Sequence, residues 1–236
     1  MLNILQNGVL SGVVFPSVTL AAVLAVLISL VVPYLLGSIN SAVLISRLFY
    51  GADIRTQGSG NGGLTNMLRV YGKKAALFVL LGDMLKTALS LLFVAIFYGF
   101  QYGKFAFACN SLLYVAGTFC IIGHIFPAYF KFKGGKGVLC TATMVLILSP
   151  IVFAVLFAVF LLLLVVTHYV SLSSITVGLL YPFALNRIMA LFGIVSGGLI
   201  ILLTVLIGLL IFYCHRENIV RLKERRENRF YFRKKK

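Results

Sequence analysis

Residues 151–168 read IVFAVLFAVFLLLLVVTH and contain no Asp, Glu, Lys or Arg. A helix of that length spans about 27 Å, close to the roughly 30 Å hydrocarbon core of a bilayer. The whole chain has the same character, because 61% of its 236 residues are hydrophobic and only 11% are charged. Soluble domains have about 25% charged residues. The sequence therefore predicts an all-α polytopic membrane protein and excludes a soluble enzyme or a disordered chain.

Apolar windows predict about seven transmembrane helices, two of them short. The short run before Pro150 cannot cross a bilayer by itself, so six crossings is the main alternative to seven. The predicted runs are residues 22–49, 75–99, 105–126, 138–148, 151–168, 171–186 and 191–214.

Basic residues lie mostly on one side of these predicted crossings. With seven crossings and the N-terminus outside, the cytoplasmic connections carry seven Lys and Arg and the C-terminal tail carries ten, whereas the outer side has only Lys104 and Arg187. Six crossings would move one basic region across the membrane, so the bias favours seven. It predicts a multi-pass protein of the inner (plasma) membrane with a cytoplasmic C-terminus.

The chain is predicted to have a single transmembrane domain, residues 21–214, between an N-terminal extension, residues 1–20, and a basic tail, residues 215–236. The tail carries ten Lys or Arg against three Glu. After an apolar body, such a tail is typical of contact with anionic membrane lipid, and nucleic acid is not predicted as a partner. The four cysteines form no CxxC pair, which indicates buried apolar residues; no disulfide and no metal site is predicted.

The connection 50–74 contains a glycine loop, residues 58–63, that reads GSGNGG. Glycine lets successive backbone N–H groups turn inward and form a nest for an anion. The spacing matches G-x-G-x-x-G, but no strand precedes it, which excludes a dinucleotide site. Neutral donors and a guanidinium accompany the glycines, so phosphate binding is favoured over a merely flexible turn. The candidate residues are Gly58, Ser59, Gly60, Asn61, Gly63, Thr65, Asn66 and Arg69.

A GGKG turn, residues 134–137, comes directly before the apolar run 138–148. A helix N-terminus and an ammonium both attract phosphate, so Gly134, Gly135 and Lys136 are predicted to bind one. The spacing of a Walker A loop is absent. A membrane-surface anchor would explain an isolated GGKG turn equally well.

Three more polar groups interrupt the apolar pattern. Ser174 belongs to a serine cluster at the start of an apolar run, where serine is usually a helix cap. His215 and Asn218 are three residues apart and share a helix face. Asp83 and Lys86 have the same spacing inside an apolar run, and mutual neutralisation is the economical explanation for them.

In the predicted topology the glycine loop, the GGKG turn, Ser174 and the His215–Asn218 pair all face the cytoplasm. This convergence predicts one pocket for a phosphorylated, partly lipid-like substrate. His124, at a predicted helix end, is expected to be a structural hydrogen-bonding residue.

Together and in this order, these motifs make the chain recognisable from about Leu35 to Leu222. It resembles the bacterial integral-membrane acyl-phosphate:glycerol-3-phosphate acyltransferases. The motifs that carry the resemblance are Gly37-Ser-Ile-Asn-Ser41, Gly58-Ser-Gly-Asn61 with Thr65, Asn66 and Arg69, Asp83-x-x-Lys86, Gly123-His124 with Lys133-Gly-Gly-Lys-Gly137, Val170-Ser-Leu-Ser-Ser174 and His215-Arg-Glu-Asn-Ile219.

The resemblance implies a seven-helix fold with an active site open to the cytoplasm. It implies transfer of an acyl group from acyl phosphate to the 1-hydroxyl of glycerol 3-phosphate, giving lysophosphatidic acid and inorganic phosphate in the first step of phospholipid synthesis. No cofactor is implied, and the enzyme that forms acyl phosphate is an expected functional partner. The family's catalytic and substrate-binding positions fall on Ser59, Arg69, Lys136, Ser174, His215 and Asn218.

Some positions depart from the family pattern. They flank the key side chains, so they bear on loop shape and acyl preference rather than on the reaction. The departures are Leu64, Thr87, Lys131 and Leu139-Cys140.

An acyl phosphate is already activated, so the reaction needs neither a covalent enzyme intermediate nor a metal. Cations and backbone donors should hold the two phosphates together and stabilise charge on the carbonyl oxygen. The glycerol hydroxyl proton can pass to the substrate phosphate or to His215. A membrane transporter for a phosphorylated small solute is the alternative function, but it should have polar sites on both sides of the membrane.

Overall fold

Helices form most of the computed structural model, which describes residues 18–98 and 111–231. No strand occurs in these residues, which confirms the all-α prediction. Predictions that fall on residues 1–17, on 99–110 with Lys104, and on 232–236 lie outside the described residues. The helices are α1 Val18–Gly37, α2 Ser41–Tyr50, α3 Leu64–Tyr98, α4 Ser111–Ile125, α5 Val138–Leu148, α6 Pro150–Thr167, α7 Val170–Leu191, α8 Gly198–Cys214 and α9 Arg216–Lys223, with 3₁₀ turns at Ile54–Thr56 and Ala128–Phe130.

Each predicted apolar run overlaps a helix, but length and composition do not fix the number of crossings. In the described ranges 5 helical stretches are long and apolar enough to span a bilayer, and 6 if α8 and α9, which meet at 55°, form one span. Helix α5 has 11 residues and is too short to cross unaided. Seven crossings therefore stays a prediction. The five stretches are Val26–Tyr50, Leu64–Phe97, Ser111–Phe130, Pro150–Thr167 and Val170–Leu191.

The first predicted run, residues 22–49, forms two helices. Helix α1 ends at Gly37, and Asn40 starts α2 because its side-chain Oδ1 accepts a hydrogen bond of 3.0 Å from the N–H of Val43. Asparagine is a favoured residue at this capping position. The Asn40 Nδ2 also donates to the carbonyl oxygen of Gly62 at 3.2 Å, so the break is tied to the glycine loop.

The predicted connection 50–74 is partly helical. Helix α3 begins at Leu64 and is interrupted at Gly72, where φ is +84°. Met67 is fully buried, and Leu64 and Val70 pack against the same cluster. Apolar residues at this three-residue spacing form one face of a helix. The segment is amphipathic rather than uniformly apolar, which is why long apolar windows do not indicate it.

The chain forms two compact units that divide after Leu148. In the first, α1 packs against α3 and α4, and a Cβ at Gly37 would lie 2.1 Å from the carbonyl oxygen of Cys120. In the second, α7 packs against α6 and α8, and a Cβ at Gly208 would lie 2.7 Å from the carbonyl oxygen of Gly178. Glycine at such crossings lets helix backbones approach closely. The single transmembrane domain stays a prediction.

Helix α6 shows the kind of surface that a bilayer covers. Its side chains Leu162, Val165 and Val166 are each more than half exposed. Large contiguous apolar surfaces are rare on soluble monomers. The exposed apolar faces agree with an integral membrane protein.

Candidate active site

Asn66 holds the glycine loop in shape from the first turn of α3. Its side chain is buried, and its Oδ1 accepts a hydrogen bond of 2.9 Å from the backbone N–H of Ser59. Its Nδ2 lies within hydrogen-bonding distance of the carbonyl oxygens of Gln57 at 2.9 Å, Asn61 at 3.1 Å and Ile54 at 3.2 Å. A side-chain amide has two N–H hydrogens, so the loop backbone uses both of them. Contact between Asn66 and a phosphate stays a prediction.

The glycine loop is closed by its own backbone. Gly58 has φ +58°, and a Cβ there would lie 2.2 Å from Asn66 Oδ1, so the position requires glycine. The N–H of Gly60 donates to Gln57 at 3.0 Å, and the N–H of Gly63 donates to Asn61 at 3.0 Å. The anion nest predicted from the glycine spacing is therefore in part a set of internal hydrogen bonds.

The side chains around the glycine loop differ in exposure. Ser59 and Asn61 are half-buried, whereas Thr65 and Arg69 are exposed. Within residues 18–98 and 111–231, no ion pair or side-chain hydrogen bond of Arg69 is found. The Arg69 guanidinium is thus a cation that a ligand can reach.

The GGKG turn lies against the end of α4. The N–H of Gly134 donates to the carbonyl oxygen of Ile125, and the N–H of Gly135 donates to that of His124, both at 3.1 Å. A Cβ at Gly135 would lie 2.1 Å from His124 Nε2 and 3.1 Å from the carbonyl oxygen of Gly62. The turn is therefore packed between His124 and the glycine loop, so the first unit brings the two predicted loops together.

Lys136 follows as a half-buried residue, and α5 begins at Val138. The bounds of this helix, Val138–Leu148, are those of the predicted apolar run. The GGKG turn therefore precedes a helix N-terminus, as its predicted role requires.

Arg55, which is not among the residues predicted from the sequence, joins the two loops. Its Nη2 lies 2.7 Å from Oδ2 of Asp53, and its Nη1 donates to the carbonyl oxygens of Phe130 and Lys133 at 2.8 Å each. The Arg55 guanidinium beside Asp53 holds the pKa of that carboxyl well below its usual range, against the opposing effect of burial. Arg47 also contacts Asp53, at 2.8 Å. No local pattern signals partners so far along the chain.

A buried ionic cluster adjoins the GGKG turn through His124. Lys86 Nζ lies 2.8 Å from Oδ1 of Asp83 and 2.8 Å from Nδ1 of His124. It also donates to the carbonyl oxygen of Ile39 at 2.9 Å, and Asp83 accepts from Oγ of Ser41 at 2.9 Å. The neutralisation predicted for Asp83 and Lys86 is confirmed, and His124 extends it to α4.

The same cluster contains a possible set of metal ligands. The ligand atoms of Asp83, His124 and Cys140 lie within 4.8 Å of one another, the single such group of three among the described residues. The Lys86 ammonium lies 2.8 Å from both the Asp83 and the His124 atoms. A divalent cation there would be repelled by the ammonium at short range. The residues therefore fit a built-in lysine cation rather than a metal ion.

In the second unit, Ser174 lies in the first turns of α7 and is buried. Its Oγ donates to the carbonyl oxygen of Val170 at 2.8 Å, and the Ser173 Oγ donates to that of Tyr169 at 3.0 Å. Such bonds satisfy a hydroxyl within its own helix. Ser174 therefore does not cap the helix, although serines near a helix start usually do, because Tyr169 occupies the capping position.

His215 lies at the bend between α8 and α9, and Asn218 lies one turn further on; both are buried. The His215 Nδ1 lies 2.8 Å from the carbonyl oxygen of Ile211. A carbonyl oxygen only accepts, so we assign a proton to Nδ1. The Asn218 Nδ2 donates to Oε1 of Glu227 at 2.8 Å.

The described part of the tail, residues 215–231, folds back onto the start of α7, which its composition does not predict. Glu227 also accepts from Oγ of Ser171 at 3.2 Å and from Nε of Arg221 at 2.8 Å. The N–H of Phe230 donates to the carbonyl oxygen of His168 at 2.7 Å. Burial by itself would raise the pKa of Glu227, but hydrogen bonds led by that from Arg221 hold it below its usual value. The predicted contact of the tail with lipid stays a prediction.

The apolar helices and the polar glycine-rich loops define a multi-pass integral membrane protein with a candidate phosphate site. A sequence model described as glycerol-3-phosphate acyltransferase matches residues 12–225. The chain belongs to this glycerol-3-phosphate acyltransferase family, which confirms the resemblance carried by its motifs.

Named relatives are similar in sequence to this chain over most of their length. Glycerol-3-phosphate acyltransferase 2 of Bacillus cereus is 39% identical over 206 residues, which cover 87% of this chain and 95% of the relative. The glycerol-3-phosphate acyltransferase of Mycoplasmopsis synoviae is 35% identical over 209 residues, with 85% and 92% covered.

Two crystal structures of PlsY (YgiH), an integral membrane glycerol 3-phosphate acyltransferase, have a similar fold. The glycerol 3-phosphate form has a TM-score of 0.71 and 35% identity, covering 89% of this chain and 96% of that one. The lysophosphatidic acid form has a TM-score of 0.70 and 34% identity, covering 88% and 96%.

Proposed function

We propose that this chain transfers an acyl group from acyl phosphate to the 1-hydroxyl of glycerol 3-phosphate, giving lysophosphatidic acid and inorganic phosphate. The observation that carries the proposal is the packing of the glycine loop against the GGKG turn, because two loops rich in donors and cations suit phosphorylated substrates. The two PlsY structures are named for glycerol 3-phosphate and lysophosphatidic acid, which supports this acceptor and this product. The acyl phosphate donor rests on the resemblance of the motifs.

In the proposed reaction, Arg69 and Lys136 bind substrate phosphate. Arg69 is exposed, and a guanidinium presents a planar fork of donors to phosphate oxygens. Lys136 precedes α5, whose N-terminus adds partial positive charge. Asn66 acts on the substrate indirectly, because it fixes the backbone of Ser59.

The chemical step is a direct displacement. The glycerol hydroxyl oxygen attacks the acyl carbon, an ester bond forms, and the bond from that carbon to the phosphate oxygen breaks, so phosphate leaves with the electron pair. The hydroxyl proton passes to the substrate phosphate or to His215. Asn218 and Ser174 are the remaining proposed site residues of the second unit.

The proposed setting is the inner (plasma) membrane with the C-terminus in the cytoplasm, where a water-soluble phosphorylated acceptor is available. The Lys and Arg bias supports this orientation. An enzyme that forms acyl phosphate is the expected functional partner, since the donor has to be supplied to the same membrane.

The test is incubation of the purified chain with an acyl phosphate and glycerol 3-phosphate, with lysophosphatidic acid and free phosphate measured together. One phosphate should be released for each ester formed. Acyl-CoA and an acyl carrier protein thioester run in parallel identify the donor. Release of phosphate without ester, or uptake of glycerol 3-phosphate into proteoliposomes without acylation, would contradict the proposal, and the second result would favour a transporter.

A further inference from the structure

The two nitrogens of the His124 ring face different parts of the first unit. Nδ1 lies 2.8 Å from Nζ of Lys86. Nε2 faces Gly135, where a Cβ would lie only 2.1 Å away, and the His124 carbonyl oxygen accepts from the N–H of Gly135 at 3.1 Å. One buried residue thus contacts both the ionic cluster and the turn that carries Lys136.

The donors and acceptors around Lys86 determine which nitrogen of His124 carries a proton. An ammonium has three hydrogens and no lone pair. Two of the three neighbours of Lys86 Nζ, namely Oδ1 of Asp83 and the carbonyl oxygen of Ile39, act as acceptors. The third hydrogen points to Nδ1 of His124, which must then accept. With Lys86 as an ammonium, this arrangement requires a neutral ring with its proton on Nε2.

This arrangement also fixes the orientation of the ring. A half-turn about the bond to the ring would place a carbon atom against the Lys86 ammonium. A buried ammonium without its third acceptor is unfavourable. Both Lys86 and His124 are at most 5% exposed, so water does not replace the missing acceptor.

We propose that His124, held as its neutral Nε2–H tautomer by Lys86, is a positioning residue that fixes the GGKG turn and, through it, Lys136. This inference rests on the proposed function, in which Lys136 binds substrate phosphate. His124 acts through the backbone of Gly135, and its effect on catalysis is the placement of the next residue. The glycine loop also lies beside Gly135, because a Cβ there would be 3.1 Å from the Gly62 carbonyl oxygen, which accepts from Asn40.

The tautomer is tested first by nitrogen-15 NMR of histidine-labelled protein in detergent. The chain has three histidines, and His124→Asn identifies the signal of interest. We expect a neutral ring with a protonated Nε2 and an unprotonated Nδ1 across neutral pH. A doubly protonated ring, or a proton on Nδ1 alone, would overturn the inference without reference to activity.

The positioning role is tested by a double-mutant cycle in the acyltransfer assay. His124→Ala should lower kcat/KM roughly ten- to a hundredfold, and His124→Asn, whose Oδ1 can accept from Lys86, should recover part of the loss. If His124 acts through Lys136, the His124→Ala/Lys136→Ala double variant should be no slower than Lys136→Ala alone. Thr118→Ala is a buried change in the same helix, and the Thr118 hydroxyl donates within that helix to the carbonyl oxygen of Tyr114, so this variant should leave kcat/KM within about twofold.

Independent losses that multiply in the double variant would overturn the positioning role, as would full activity in His124→Ala. Should His124→Ala fail to fold, His124→Asn combined with Lys136→Ala gives the same comparison. A wild-type chain that does not acylate glycerol 3-phosphate contradicts the proposed function instead, and the NMR measurement still decides the tautomer.

Discussion

The Nη1 of Arg55 donates a hydrogen bond of 2.8 Å to the carbonyl oxygen of Lys133, 78 residues further along the chain. The same nitrogen donates to Phe130. One guanidinium therefore joins the segment before the glycine loop to the segment before the GGKG turn, so the relative position of the two loops depends on it.

Arg55→Lys should weaken this connection although it keeps the charge. A lysine ammonium cannot reproduce the planar fork that contacts Asp53 and two carbonyl oxygens. We expect kcat/KM to fall roughly tenfold. Arg47→Lys is the matched control, because Arg47 contacts the same carboxylate from an exposed position. Full activity in Arg55→Lys would show that only the charge matters, and equal losses in both variants would assign the effect to the Asp53 contact that they share.

Asn66→Asp should be as damaging as Asn66→Ala. Aspartate keeps an acceptor for the N–H of Ser59 but loses the hydrogens that the Asn66 amide donates to the loop carbonyl oxygens. We expect each change to lower the free energy of unfolding by about 1–3 kcal/mol, measured by thermal unfolding in detergent. Thr65→Ala, at the exposed neighbouring position, should change it little, and a stable Asn66→Asp protein would contradict the role given to the amide.

The pH dependence of stability should report the ion pairs of Asp53. Its pKa in the folded chain is lowered, so its stabilising contribution is fully present above the unfolded pKa of about 3.9 and is lost as pH falls towards the folded value. The difference in unfolding temperature between wild type and Asp53→Asn should be constant from about pH 7 to 5 and shrink below about pH 4. A difference that grows at low pH would have the wrong sign for this account.

Lys136→Ala should remove a charge-assisted phosphate contact and lower kcat/KM roughly ten- to a hundredfold. Lys133→Ala, three residues earlier and exposed, should matter less, since Lys133 contributes its carbonyl oxygen to Arg55 rather than its ammonium. Steady-state kinetics of both variants, made in the same detergent, separates the two roles. Similar losses would indicate diffuse electrostatic attraction instead of a specific site.

The predicted orientation can be examined with reporter fusions. A reporter after Lys236 should be cytoplasmic, and one inserted at Gln101–Lys104 should lie outside, because basic residues are retained on the cytoplasmic side. Both reporters on the same side would contradict seven crossings.

The sequence predicts the helices of this chain better than it predicts their partners. Each apolar run overlaps a described helix, and the run 138–148 coincides with α5. They miss the start of α3, because Leu64 to Tyr71 is amphipathic, and they join α1 to α2 across Asn40, whose capping bond is a local polar effect. Hydropathy averages over windows and cannot register either feature.

The spacing of glycine and lysine predicts the two loops, but it predicts neither Arg55, which connects them, nor Glu227, which holds the tail against α7. Arg55 and Glu227 lie in polar segments where a charged residue is unremarkable. Their importance comes from partners distant in sequence, Lys133 for the first and Ser171 for the second. These contacts form only when the chain folds, so the sequence does not indicate them. Asp83 and Lys86 are three residues apart on one helix, and their pairing can be predicted from spacing alone.

That spacing has a consequence for how the protein enters the membrane. Because both members of the Asp83–Lys86 pair belong to α3, their charges can compensate one another as soon as this helix forms. A lone charge at the centre of an inserting helix costs about 2.5–3.5 kcal/mol on the translocon scale. From Ala75 to Tyr98 these two residues supply all the charges of α3, so this part of the helix can pass into lipid during biosynthesis as an electrically neutral segment, before α4 delivers His124.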